Sequence, residues 1–177
     1  MKRAIFILAG VVVAAASQAT VFGFASSMIN AAQEVNGSTS TAYGTGSFTV
    51  DDVTWQIVGS VATTGQAATS VTGFHIHNAP IGVNGPVIVD LTAITVNVFS
   101  AGNNVFYNFL GTLVDSNITK QAKLTQMIAG RTYFNMHTAA NPGGAIRGQI
   151  DCITTPEPAA WGVMSLGLVP LLLRRRK

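Results

Sequence analysis

Five short segments, residues 47–50, 53–58, 74–77, 87–91 and 133–137, alternate apolar and polar side chains with a period of two, and turn-forming residues fall between them. That period sends successive side chains to opposite faces of a strand, so each segment can bury one face and expose the other. Thr, Val, Ser, Gly and Asn are abundant and only 10% of residues are charged, which disfavours amphipathic helices. Strands of this length and spacing predict an all-β domain, an antiparallel β-sandwich or barrel. Residues 116–129 are the one stretch where a helix or a long loop fits, with Lys120, Lys123, Leu124 and Ile128 at helical spacings.

The β-patterned region lies between two apolar ends. At the first, basic Lys2 and Arg3 precede an apolar run over residues 4–16 and then small residues, the layout of a cleavable secretory signal. Cleavage by signal peptidase could follow Ala19 or Ala25. Ala25 is preferred, because Gly23 and Ala25 supply small residues at the two positions the peptidase reads. The expected organisation is therefore a signal peptide over residues 1–25, a β domain over 26–152 and a tail over 153–177.

The pI near 9.4 belongs to the ends. Between residues 26 and 155 the bases are Lys120, Lys123, Arg131 and Arg147, and the acids are Glu34, Asp51, Asp52, Asp90, Asp115 and Asp151, so the domain carries −2. A nucleic-acid surface needs clustered Lys and Arg to displace counterions from phosphates, and that class of partner is excluded. Cys152 is the only cysteine, so no intramolecular disulfide can form and stability must come from packing.

In the tail, Pro156, Glu157 and Pro158 precede apolar or small residues over 159–173, then Arg174, Arg175, Arg176 and Lys177. As a helix those fifteen residues would span roughly 23 Å, short of the roughly 30 Å hydrocarbon core. The terminal positive charges would stay cytoplasmic and leave the domain outside. This three-part order resembles the PEP-CTERM sorting signal. The resemblance implies an exported protein held transiently at the inner membrane by the tail, then released or re-anchored at the cell surface by an exosortase-type protease.

Three blocks of the domain resemble a CHRD domain. They are Ala31-Ala32-Gln33-Glu34-Val35 with residues 44–51; Gly73-Phe74-His75-Ile76-His77 with Gly85-Pro86-Val87; and the stretch 135–150 from Asn135-Met136-His137 through Asn141-Pro142-Gly143-Gly144 to Arg147-Gly148-Gln149-Ile150. Ala145 departs from the family, which often has an acidic residue there. The resemblance implies an extracellular β-rich module.

All three histidines fall in these blocks. Alternation puts His75 and His77 on one strand face and Phe74 and Ile76 on the other, and likewise sets His137, Asn135 and Tyr133 opposite Phe134 and Met136. If the apolar residues face the core, the imidazoles point outward or into a polar pocket. Two imidazoles at i and i+2, about 7 Å apart at their backbones, can share one metal ion, and a third from a neighbouring strand would complete a set. The same stretches are similar to copper-zinc superoxide dismutase, whose matching histidines bind copper. That similarity implies a Greek-key sandwich, immunoglobulin-like or superoxide-dismutase-like, with His75, His77 and His137 as metal ligands. This sequence lacks a fourth histidine to bridge two metals, a zinc-ligand cluster and a disulfide pair, and Arg147 is out of register with that family's substrate-guiding arginine.

No G-x-S-x-G elbow, P-loop or G-x-G-x-x-G turn occurs, so hydrolase and nucleotide chemistry lack their anchors. Asp51 and Asp52 are adjacent, cannot share a strand face and are expected to end a strand, while Pro142-Gly143-Gly144 is expected to form a tight turn. The functional expectation is a non-catalytic surface or extracellular-matrix module that binds a protein or polysaccharide and needs no cofactor. The alternative is an extracellular protein that holds copper or zinc on three histidines.

Overall fold

The computed structural model describes residues 19–154. The start of the chain (1–18) and the tail (155–177), with the sorting residues and the expected apolar C-terminal helix, lie outside the described residues. Within them are the strands β1 (Val21–Asn30), β2 (Tyr43–Asp51), β3 (Gln56–Thr64), β4 (Val71–Asn78), β5 (Val87–Asp90), β6 (Thr95–Ala101), β7 (Asn104–Thr112), β8 (Thr132–Thr138) and β9 (Ile146–Thr154), with the helix α1 (Lys120–Ile128) between β7 and β8.

The strands form one antiparallel sheet in the order β5-β4-β8-β9-β1-β2-β3-β7-β6. This corrects the expected two-sheet sandwich, because β1 is hydrogen-bonded to β2 on one side and β9 on the other and so joins both halves. The register of β1 shifts between Ser26 and Ile29, a bulge of the kind that bends a strand and lets a sheet curl. The curl brings the inner faces together: Phe48 of β2 lies 5.7 Å from Phe134 of β8, and Phe109 of β7 lies 6.2 Å from Phe74 of β4, ring centroid to ring centroid. Residues 91–94 span the gap between the edge strands, since Leu91 and Thr92 donate to the Phe74 carbonyl and Leu110 donates to that of Ile94.

Local chemistry sets the boundaries. The segment expected to be extended from residue 53 begins its strand only at Gln56. Asp51 Oδ1 accepts from the Val53 and Thr54 amides at 2.9 and 2.7 Å, and Trp55 takes a left-handed φ of 60°. A carboxylate that collects backbone amides favours a turn over a ladder. The stretch 116–129 resolves into α1, where the Thr119 hydroxyl caps the Ala122 amide and Leu124 and Met127 are buried.

β1 also runs through the boundary expected at Ala25. Phe24 is fully buried and stacks on Phe48 at 4.9 Å, and Ala25 pairs with Ser47 on one side and Asp151 on the other. The β fold thus takes in Val21–Ala25 and ends at Thr154, wider at both ends than residues 26–152. Among the described residues no helix is long and apolar enough to cross a membrane.

Candidate metal centre

Alternation on β4 and β8 does what the sequence predicts for the inner face. Phe74, Ile76, Phe134 and Met136 are buried in the core, so His75 and His77 of β4 and His137 of β8 emerge together on the opposite face. The register places His137 across from Gly73, two residues before His75, and His77 across from Tyr133. The ring centroids are 5.0 Å apart for His75 and His137, 5.6 Å for His75 and His77, and 5.8 Å for His77 and His137. One ring nitrogen of each lies within 4.8 Å of the other two.

Hydrogen bonds fix how two of the rings face. His77 Nδ1 lies 2.8 Å from the Gly85 carbonyl and His137 Nδ1 lies 2.9 Å from that of Pro142. A carbonyl can only accept, so Nδ1 carries the proton in both and Nε2 of the neutral ring keeps its lone pair. His75 Nε2 faces the Asp90 carboxylate at 3.8 Å. The nitrogens left buried without a partner are His75 Nδ1, His77 Nε2 and His137 Nε2, one per ring. A buried polar atom without a partner is costly, and three in one cluster fit a cation that takes all three lone pairs.

The face carrying the rings is partly covered: His77 is buried, and His75 and His137 keep some exposure. Tyr133 and Asn135 are buried, and Arg147 is 1% exposed. The Arg147 guanidinium lies 3.5 Å from the Tyr133 ring centroid, and Tyr133 in turn stacks on His77 at 5.0 Å and 17°. Arg147 also donates to the carbonyls of Val83 and Pro80 at 2.9 and 3.1 Å, pinning the loop that presents Gly85. The Gly85 amide donates to the Tyr133 hydroxyl at 3.2 Å, so one residue orients both members of the stack.

The first block closes the same face. Gln33 Oε1 accepts from the Gln149 amide, and Glu34 sits beside Arg147 and under Gly144, whose φ of 141° and crowding against the Glu34 carboxyl leave no room for a Cβ. Ala145 is fully buried, and the carboxyl group beside Arg147 is that of Glu34. The tight turn expected at Pro142-Gly143-Gly144 supplies the carbonyl that orients His137.

Burial lowers the His75 and His77 pKa values below 6.5, with nearby imidazoles adding to the effect. Both rings are therefore neutral at pH 7 and ready to donate lone pairs. Because the unfolded chain takes up protons on these groups more readily than the folded one, they should cost the metal-free domain stability as pH falls through about 6.5. Glu34 runs the other way: burial, partly offset by Arg147, raises it from 4.5 to about 7. The folded chain then holds a proton that the unfolded chain releases, so this group's contribution is full below pH 4.5 and is lost as pH rises through 7. Glu34→Gln is expected to match the natural chain near pH 4.5 and to exceed it above pH 7 by up to roughly 3 kcal/mol, read by denaturant unfolding at both pH values.

Sequence reasoning found the three histidines and missed their supports. The Gly85 and Pro142 carbonyls, Asp90 and the Tyr133–Arg147 stack come from other strands and loops. Gly73 supplies space: a Cβ there would lie 2.9 Å from His75 Cε1 and 3.6 Å from His137 Cδ2. The signal that could have found Gly73 and Gly85 is their place in the second block.

Fold and cluster together define the class, a curled antiparallel β module carrying a three-imidazole candidate metal site on the sheet face opposite its core. The chain matches the CHRD domain over residues 25–150 and belongs to that family. CHRD domains are typically extracellular modules. No curated protein matches the chain, and neither does any solved structure.

Proposed function

We propose that this protein is an exported, non-catalytic module that binds one copper or zinc ion, with His75 donating through Nδ1 and His77 and His137 through Nε2. The observation that carries the reading is the convergence of three imidazoles, each of which has one buried nitrogen without a partner. A triangle with sides of at most 4.8 Å has its corners within about 2.8 Å of one point, and bonds of ~2.0–2.1 Å to nitrogen need only a small inward tilt. The Nδ1–H bonds to carbonyls are the outer support that metal-bound imidazole ordinarily has. Imidazole suits both copper and zinc. With three histidines in the whole sequence, the two-metal arrangement of a dismutase is not available, which favours binding over turnover.

Titrating the purified domain with copper(II), and separately with zinc(II), in a calorimeter tests this. One equivalent should bind tightly, and a His75→Ala, His77→Ala double variant should lose it; equal affinity in both would sink the reading. Because His75 and His77 are neutral at pH 7, the affinity should be flat between pH 7 and 8 and fall as protons compete below about 6.5.

Export and sorting are part of the same proposal. The extracellular character of the family supports the signal reading of the start, and the P-E-P layout supports processing of the tail by an exosortase-type protease. Deleting residues 156–177 should change where the protein accumulates, measured by fractionating cells and medium, and an unchanged distribution would remove the sorting role.

A further inference from the structure

The fold takes hold of the chain at Thr20. Its carbonyl accepts from the Asp52 amide at 3.1 Å, its own N–H donates to Asp52 Oδ1 at 2.8 Å, and Ala19 before it is exposed. From Val21 to Ser26 every residue pairs with β2, and Gly23, Phe24 and Ala25 also pair with β9. β1 is an interior strand, not an edge. Scission after Ala25 would remove half of it, including the fully buried Phe24, and leave only the Asn30–Arg147 pair joining what remains to β9. Six residues earlier the sequence offers the same spacing of small residues, Ser17 and Ala19, ahead of the point where pairing begins.

We propose that the exported chain is processed after Ala19 and that the new α-amino group of Thr20 pairs with the Asp52 carboxylate. This rests on the export reading above. Hydrolysis breaks the Ala19–Thr20 peptide bond; water gives its hydroxyl to the Ala19 carbonyl carbon and a proton to the Thr20 nitrogen, and ionisation of the new Ala19 carboxyl releases the proton that makes the Thr20 amine an ammonium. Before the cut, that nitrogen is a neutral amide donating to a carboxylate. Afterwards it is an ammonium in the same place, and the bond becomes a charge-assisted ion pair, which is the stronger kind. Processing at this position thus leaves β1 whole and gives an existing contact a charge that it lacks in the precursor.

The test is to express the full 177-residue chain in an exporting Gram-negative host and determine its first residue by intact mass and N-terminal sequencing. A start at Thr20 is expected. A start at Ser26 overturns the proposal and leaves export standing, whereas a start at Met1 removes both. Ala19→Tyr should accumulate precursor, and normal processing of that variant would count against the site. Asp52→Asn should lower the Tm of the mature chain by about 2–4 °C more than that of the unprocessed Ala19→Tyr chain, and equal losses would exclude the ion pair.

Discussion

His137→Ala is expected to reduce copper or zinc affinity by more than the roughly 10–100-fold that loss of an outer-shell partner causes, while the fold persists. His137 contributes one of three unpartnered nitrogens, and two imidazoles from a single strand remain without it. Its neighbours on β8, Phe134 and Met136, keep their places in the core because they point the other way. The readout is a pair of measurements. In the natural domain a metal at about 100 times its Kd should raise stability by about 2.7 kcal/mol, and in the variant that increment should vanish while the metal-free Tm stays close to the original. A fall in metal-free Tm as large as the lost increment would mean that His137 acts through packing.

Arg147→Ala should be the most damaging single change to the scaffold, lowering stability by about 3–5 kcal/mol. The side chain is 1% exposed, lies against the Tyr133 ring and donates to the Val83 and Pro80 carbonyls. Alanine removes the donors that hold the Val83 and Pro80 carbonyls, opens a cavity beneath Tyr133 and takes away the cationic group that tempers the raised pKa of Glu34. Thermal unfolding should show the loss directly. Metal affinity should fall as well, because the loop that Arg147 pins presents the Gly85 carbonyl holding the His77 ring. Arg147→Lys should recover little of either, since a lysine ammonium lacks the planar fork that stacks on an aromatic face while donating in two directions. Full affinity in Arg147→Ala would separate the stack from the site.

Much of this architecture was legible because β alternation is a local rule. Phe74 and Ile76 against His75 and His77, and Phe134 and Met136 against His137, could be assigned to opposite faces from their order alone, and the structure keeps them there. The end of β2 at Asp51 and the turn before Ala145 were equally local, since one is set by a carboxylate collecting amides and the other by glycine. The single curled sheet was not legible. Whether two sets of strands make a sandwich or one bent sheet depends on the bulge in β1 and on its pairing with both β2 and β9, and pairing partners leave no mark on either strand's own pattern. The same limit applies to the two candidate cleavage points: small residues at the right spacing are visible in the sequence at Ala19 and at Ala25, while the burial of Phe24 beside the second is not.

By itself the sequence determined the strand faces, the candidate ligands and the family blocks, all of which depend on residues a few positions apart. Tertiary structure decided that β4 and β8 are neighbours in a register that sets His137 across from Gly73, and that carbonyls from two separate loops turn the rings inward. Convergence of His75, His77 and His137 joins residues about 60 positions apart in the chain, and only the closure of the sheet brings them to one point.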